Sequence, residues 1–576
     1  MIGKHLRWAA SILVASNLIL ASPAVTFGDN RNDRSNNNGN NNGKGGGNGN
    51  GNGKGHGFVD PAAAYQTATP IKHVIVIFGE NISFDHYFGT YPHATNPEGE
   101  PQFHAKAHTP RVNNLLAGGL LDNNPNQTQP FRMDTGAASV TCDMNHSYTP
   151  EQQADDHGLM DQFQQFTGAG SSSGSPCNDY GKGPGDVMGY FDGNTVTALW
   201  NYAQNFAMSD NSFSTEFGPS TVGAINLVAG TTEGATMAPS KVNGKAAAPS
   251  GNIANASLTG SLIGDVRPLG DECVLTDPGL QTANLVSFSG KSVGDLLNAQ
   301  NITWGWFQGG FAPTGLDANG HAICGQHNVG LAGDDAVTQS SDGDYIPHHE
   351  PFQFYATTLN AHHVGPSDPK LIGQSSDGTH HQYDLSAFWA ALGEDRLPAV
   401  TYLKAGAYQD GHPGYSDPID EQIFTVGVIN AVMNSPFWNS TAIIIAYDDS
   451  DGWYDHVLGP VVNQSAVTDD ALGGVGICGS VTAPTQGQCG YGPRQPLLVI
   501  SPYSKVNYVD HRVTDQSSIL RFIEDNWSLG RIGGNSSDFK AGRLNGFFDF
   551  DNNPSNNAPV LILDPATGVV LEKENN

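Results

Sequence analysis

Apolar residues in this chain follow two patterns. Short runs, unbroken except at Thr401, occupy residues 74–78, 399–403, 443–446 and 497–500. Runs of that length predict strands covered on both faces. Longer stretches at 196–206, 293–299, 385–392, 421–433 and 517–527 repeat their apolar positions with helical spacing. Strands interleaved with amphipathic helices predict an α/β fold with a mostly parallel central sheet and helices on both faces. Asn81 is expected to open a short helix through Phe84 and Tyr87, and residues 222–230 to begin another. Between about 235 and 380, Gly, Asp, Asn and Ser dominate, which predicts long loop insertions over one edge of the sheet. Residues 559–563 and 568–572, around Asp564-Pro565-Ala566-Thr567, predict a C-terminal β-hairpin in a tail of residues 551–576.

The N-terminus changes the picture of where the protein works. Lys4 and Arg7 precede an apolar stretch from Trp8 to Leu20, and Ala21-Ser22-Pro23-Ala24 supplies small residues for cleavage. Residues 1–28 are therefore expected to be a secretory signal, short for a membrane span, with the mature protein secreted or periplasmic. Residues 29–57 are Asn/Gly repeats that cannot bury apolar surface and predict a disordered linker. Residues 58–550 are left as the folded domain. Six cysteines, Cys142, Cys177, Cys273, Cys324, Cys478 and Cys489, suit disulfides in an exported chain. Proximity favours the pairs Cys478–Cys489, Cys142–Cys177 and Cys273–Cys324, although spacing alone does not fix connectivity. No CxxC spacing points to a cysteine metal site.

The formal charge is −30. Residues 1–57 hold six Lys or Arg and two Asp or Glu, which leaves 20 basic against 54 acidic side chains, a net −34, for the rest. Such a body repels nucleic acid and anionic lipid at long range, so no nucleic-acid partner is expected.

Acidic residues concentrate where two of the apolar runs end. Glu80-Asn81 follows the first run, and Asp448-Asp449-Ser450-Asp451-Gly452-Trp453-Tyr454-Asp455-His456 follows the third. Ligands of open α/β sheets bind beyond the carboxyl ends of strands. Hard oxygen donors gathered there suit Ca²⁺, Mg²⁺ or Mn²⁺, with Zn²⁺ also accommodated. Asp448 and Asp449 lie nearest the strand and are the expected ligands, with Asp451 and Asp455 supporting them. Taken singly, Glu80 fits a solvated residue and Asn81 a helix cap. Gly218-Pro219-Ser220-Thr221 precedes a helix, so Ser220 fits a nucleophile or an N-cap. His146, His348, His349 and His412 lie in polar, proline-bearing segments, and protonated imidazoles there suit phosphate binding and proton donation. Adjacent His348 and His349 point apart, so one of them is expected to reach any given ligand atom.

These segments together resemble the bacterial phosphoesterase family of acid phosphatases and phospholipases C. Residues 80–89, Glu-Asn-Ile-Ser-Phe-Asp-His-Tyr-Phe-Gly, resemble its opening signature, Gly218-Pro219-Ser220 its nucleophile motif, and residues 447–456 its second metal motif. The likeness spans most of residues 70–530. It implies an alkaline-phosphatase-like core with one divalent metal ion. Glu80, Asn81, Asp448, Asp449 and Ser220 would hold that ion. Ser220 would be the nucleophile, and His146, His348, His349 and His412 would line the phosphate pocket. Members often carry Pro two residues after the nucleophile. This chain has Val222 there, which leaves Thr221 as a second hydroxyl to consider.

The Asp448-Asp449-Ser450-Asp451 loop resembles the acid-phosphatase branch. The expectation is a secreted, metal-dependent acid phosphatase that hydrolyses small phosphate monoesters through a phosphoserine. The alternative is a phospholipase C acting on phosphatidylcholine-like phospholipids, for which Trp304, Trp306, Phe307 and Phe311 would offer an aromatic pocket for the choline cation, unless they are ordinary core. A third reading is a non-catalytic surface module with a structural cation, which has no use for a nucleophile.

Overall fold

A computed structural model describes residues 58, 60–134, 140–168, 179–238, 241–242, 245–246, 251–276, 284–330, 343–472, 478–480, 482–551 and 559–574. The expected signal at 1–28, the linker at 29–57 and Cys177 lie outside them.

Eight strands form the central sheet: β1 His73–Gly79, β2 Ala207–Ser209, β3 Trp304–Gln308, β4 Gln382–Asp384, β5 Val400–Lys404, β6 Thr441–Tyr447, β7 Leu497–Ile500 and β8 Tyr508–Asp510. Their spatial order is β4-β3-β5-β1-β6-β7-β2-β8. Seven run in one direction and β7 alone is reversed. The predicted α/β sheet is mixed but mostly parallel. At its centre Val76 pairs with Tyr402 of β5 and Ile444 of β6.

The unbroken apolar runs follow from burial on both faces. Val74, Val76 and Phe78 point to one side, Ile75 and Ile77 to the other. The first side is covered by α4 Ser220–Ala229, α5 Val293–Ala299 and α8 Gln516–Trp527; the second by α3 Thr197–Asn205, α6 Leu385–Gly393 and α7 Pro418–Met433. Local chemistry fixes the helix ends. Asp417 accepts the Ile419 and Asp420 amides ahead of Pro418, and Asp515 and Ser518 form a reciprocal capping box at α8. Every residue of α4 is buried: the helix packs against α8, α5 and the turns at 347–354, in one apolar cluster with the first face of the sheet. At Gly223 a Cβ would lie 2.0 Å from the Asp448 carbonyl oxygen. The absent side chain lets the start of α4 approach the end of β6.

Several expectations are corrected. The stretch 235–380 is not only loop. It supplies β3 to the central sheet and all of a second, four-stranded sheet ordered Arg267–Pro268, Leu285–Phe288, Ala235–Ala238 and Thr259–Gly260. Trp304, Trp306 and Phe307 are residues of β3 with no exposure, and Phe311 packs edge-on against Tyr345. These aromatics are core and form no choline pocket. The short helix α1, Phe84–Phe88, is capped by Ser83 and not by Asn81, which sits at φ 57°. The tail hairpin pairs Val560–Leu563 with Val570–Glu574 and docks on α7, where Asn430 Nδ2 donates to the Leu563 carbonyl at 2.8 Å. Disulfides join Cys273 to Cys324 and Cys478 to Cys489. Among the described residues, no helix is long and apolar enough to cross a membrane.

Candidate active site

Three neighbouring strands end in charged residues on the same edge of the sheet. β1 leads into Glu80-Asn81, β6 into Asp448-Asp449, and β5 ends in Lys404. The first residue of α4, Ser220, completes the group. Ser220 Oγ lies 3.1 Å from Asp449 Oδ2 and 3.3 Å from Glu80 Oε2, so its one proton has a carboxylate acceptor on either side. The Thr221 hydroxyl instead donates to Asp265 at 2.9 Å. This pair of contacts separates the two candidate hydroxyls. The loop before Ser220 turns at Gly218, whose φ of 120° admits glycine without strain.

Asn81 is woven into the second loop. Its backbone N–H donates to Asp448 Oδ1 at 3.0 Å and its Nδ2 to Asp451 Oδ1 at 3.1 Å. Its Oδ1 is buried and has no hydrogen-bond partner. The Asp448 and Asp449 loop is held by its own amides, with Asp449 N–H on Asp448 Oδ1 and Asp451 N–H on Asp449 Oδ1.

The electrostatics are strained by burial. Glu80 and Asp449 have no exposure and Asp448 has 1%. Burial, reinforced by Glu80, pushes the Asp448 carboxyl up to about 6. Burial together with Asp448 and Glu80 holds Asp449 well above the usual carboxylate range, with His146 opposing. Buried oxygens that repel one another this way are relieved by a cation. Lys404 supplies one positive charge, since its ammonium contacts Glu80 Oε1 and lies 4.0 Å from Asp448 Oδ2. Burial works against the Lys404 ammonium, but Glu80, Asp448 and Asp410 outweigh it and hold its pKa above normal. Three carboxylates and the unpartnered Asn81 Oδ1 still leave a hard, oxygen-rich donor set that fits a divalent ion.

The four histidines take different places. His349 Nδ1 is 3.0 Å from Glu80 Oε1, and burial followed by Lys404 lowers its pKa well below normal. His348 turns away, with Nε2 3.9 Å from Asp265 and Nδ1 contacted by the Arg267 guanidinium. His146 lies 3.4 Å from Asp451 and 3.5 Å from Asp143. Burial opposes its protonation, yet Asp449, Asp143 and Asp451 raise its pKa well above normal. His412 stacks on Tyr415, with ring centroids 4.3 Å apart. His146, His348 and His412, with Arg267, Asp265 and Pro219, line a cavity of about 510 Å³ beside the loop that precedes Ser220.

The geometry adds residues that the sequence reading did not single out. Lys404 stands at the end of β5 as Glu80 and Asp448 stand after β1 and β6, a positional signal that was available. Asp410, 4.0 Å from His349, groups with Glu80 and His349. Glu151 accepts from Gly218 and Ser450. Asp455 does not face the site; it pairs with Arg494 at 3.0 Å.

The sequence model of the phosphoesterase family matches residues 71–530. A non-hemolytic phospholipase C of Pseudomonas aeruginosa is 29% identical over 174 residues, 29% of this chain and 24% of that protein. Phospholipase C A of Mycobacterium tuberculosis is 24% identical over 468 residues, 79% of this chain and 72% of that protein. The matches to the first relatives thus span about a quarter or less of their length. Among solved structures, a protein in the alkaline phosphatase superfamily from Vibrio parahaemolyticus aligns over 66% of this chain and 69% of its own, at 12% identity and a TM-score of 0.25.

Proposed function

The chain belongs to the phosphoesterase family, and from that premise we propose that it is an exported, metal-dependent acid phosphatase that hydrolyses phosphate monoesters through a phosphoserine at Ser220. The observation that carries the reading is Ser220 Oγ set between Glu80 and Asp449, directly after Pro219, which lines a polar cavity.

Glu80, Asn81, Asp448 and Asp449, with Ser220, would hold one divalent ion. When bound, such an ion polarises phosphoryl oxygens and lowers the pKa of an adjacent hydroxyl. The chain's own residues do the rest. The cavity wall of His146, His348, His412 and Arg267 offers donors to the phosphoryl oxygens, where charge builds in the transition state. Ser220 Oγ passes its proton to a flanking carboxylate and bonds to phosphorus as the bond to the alcohol oxygen breaks. His146, kept protonated by its acidic neighbours, gives its proton to the departing alkoxide. Water then attacks phosphorus, the Ser220 Oγ–phosphorus bond breaks, and inorganic phosphate leaves as Ser220 regains a proton.

The test is Ser220→Ala, assayed on a soluble aryl phosphate, with mass detection of phosphorylated Ser220 in acid-quenched wild-type enzyme. Loss of turnover with the fold retained is expected. Near-normal activity in the variant refutes the phosphoserine. The relatives named as phospholipases C favour a second reading, phosphodiester cleavage of phosphatidylcholine-like lipids. The polar lining of the cavity and the burial of the aromatic residues in β3 favour the small monoester. Relative kcat/KM on the aryl phosphate and on a phosphocholine ester separates the two.

A further inference from the structure

The Cys273–Cys324 disulfide lies against a buried ion pair that takes no part in the site at Ser220. We propose that this disulfide is a thiol-exchange site: a dithiol opens it at the Cys324 sulfur, and the Cys324 thiolate so formed is held by the imidazolium of His363.

Geometry fixes the charge on the ring. His363 Nε2 lies 2.8 Å from Asp271 Oδ1, and Nδ1 lies 2.9 Å from the Phe311 carbonyl oxygen. Both nitrogens face acceptors, so both donate. Burial works against the Asp271 carboxylate, but His363, Tyr345 and Gln353 outweigh it and keep its pKa below normal. Asp271 Oδ1 also accepts the Cys273 amide at 2.8 Å, and Oδ2 accepts the Tyr345 hydroxyl at 2.7 Å. The ring stacks on Phe311 with centroids 4.1 Å apart. So placed, Nδ1 lies 3.5 Å from Cys324 Sγ. A fixed cation at that distance favours thiolate over thiol. Two further acids do not cancel it. Burial and Asp271 push the Glu350 carboxyl well above normal, and Glu272 is engaged by the Ala322 amide at 2.8 Å and by His362 at 2.6 Å.

Cys273 is buried and Cys324 is partly exposed, so an incoming thiolate meets Cys324 first. Its attack forms a mixed disulfide at Cys324 and breaks the original S–S bond, whose electron pair leaves on Cys273 Sγ. The second thiol of the dithiol gives its proton to Cys273. It then attacks its own sulfur in the mixed disulfide and releases Cys324 as the thiolate beside His363. The dithiol ends as its own disulfide, and the bridge ends as one thiol and one thiolate. A sulfur that departs as a stabilised anion leaves faster and makes its disulfide easier to reduce. Cys478–Cys489 is the contrast within the same chain. Both of its cysteines have no exposure and pack in an apolar cluster with Phe217 and Leu472, surroundings that disfavour a thiolate.

The inference does not rest on the proposed function and is tested without an activity assay. Full-length protein is equilibrated at pH 7.5 with graded dithiothreitol, quenched in acid and alkylated, and each cysteine peptide is weighed. Cys273–Cys324 is expected to open while Cys478–Cys489 stays closed. In His363→Gln, the midpoint for Cys273–Cys324 is expected at about tenfold higher dithiothreitol. A native bridge no easier to reduce than Cys478–Cys489 overturns the proposal, and so does a midpoint that His363→Gln leaves unchanged. If circular dichroism shows that His363→Gln is unfolded, the wild type decides alone. The rate at which iodoacetamide modifies reduced Cys324 is then followed against pH. Half-maximal reaction at least about one unit below the ~8.5 of a free cysteine supports the proposal, and a smaller shift or none overturns it.

Discussion

Glu151 Oε2 accepts the Gly218 backbone N–H at 3.0 Å, 67 residues away in sequence. The other oxygen of the same carboxylate accepts the Ser450 hydroxyl at 2.7 Å. One buried side chain on α2 Tyr148–Asp155 therefore ties the loop before Ser220 to the loop of Asp448 and Asp449. Ser450 Oγ itself accepts the Gly452 amide, so its proton goes to Glu151 and both carboxylate oxygens face donors. In Glu151→Gln the new NH₂ must meet one of those donors. The variant is expected to fold and to lose about 10- to 100-fold in kcat, the scale on which supporting groups act. Steady-state kinetics on an aryl phosphate provide the check, and a kcat within twofold of wild type refutes the strut.

Lys404 makes a second prediction with a defined sign. Its ammonium sits on Glu80, a carboxylate that would also hold the metal. Lys404→Met removes a positive charge from the site, so the metal-free protein loses the buried pair and falls by about 3 kcal/mol. Removing that charge also removes repulsion of the ion, and metal affinity is expected to rise by about tenfold. Thermal unfolding with and without added Mn²⁺ reads both effects. A variant whose metal-dependent gain in Tm is smaller than that of wild type contradicts the argument.

The parts of the site that were legible in the sequence share a cause. β1 and β6 are covered on both faces, so they appear as unbroken apolar runs, and the acids that follow them stand out by contrast. Lys404 holds the matching position after β5, but a lone lysine is ordinarily solvated and carries no signal of burial. Glu151 lies in Tyr-Thr-Pro-Glu-Gln-Gln-Ala-Asp, which has the pattern of a surface helix. It is buried only because loops from residues 218 and 450 fold over it, a fact of tertiary structure. β3 was obscured because Trp-Gly-Trp-Phe-Gln is short, carries a glycine, and runs straight into Gly309-Gly310. β2 and β8 are three residues long and too short to show a period.

Stability should depend on pH with a sign set by buried glutamates. Burial raises Glu421, which accepts the hydroxyls of Tyr87 at 2.9 Å and Tyr447 at 2.5 Å, from 4.5 to about 7. Burial likewise raises Glu216 from 4.5 to about 8. In both cases the folded state binds the proton more tightly than the unfolded chain. Their contribution is full below pH 4.5 and is lost as pH rises through 7 for Glu421 and 8 for Glu216. Shifts of that size are worth roughly 3 kcal/mol for Glu421 and roughly 5 kcal/mol for Glu216. The Tm of the metal-free protein is expected to fall between pH 5 and pH 8, and Glu421→Gln to flatten the lower part of that slope. A Tm that climbs over the same interval refutes the assignment.

The last prediction concerns a buried ion network behind the site. Arg494 has no exposure, donates to Asp455 through Nε and Nη2, and gives Nη1 to the carbonyls of Asn113 and Asp210. Its guanidinium also lies 4.3 Å from the centre of the Phe84 ring. Asp455 Oδ2 accepts the Asp85 amide, and Asp85 Oδ2 accepts both the backbone N–H and the ring of His456. These contacts join the loop after β6 to the helix that follows Glu80 and Asn81. Removing the cation alone leaves buried acids and orphaned carbonyls, which costs far more than the pair contributes in net terms. Arg494→Met is therefore expected to lose about 3–5 kcal/mol, and Arg494→Met with Asp455→Leu to recover part of it. Because the network aligns the two acidic loops, the single variant should also bind metal more weakly at temperatures where it stays folded. Urea midpoints for the single and double variants decide the matter: a single variant that loses under about 1 kcal/mol would show that the network is no more than a solvated surface pair.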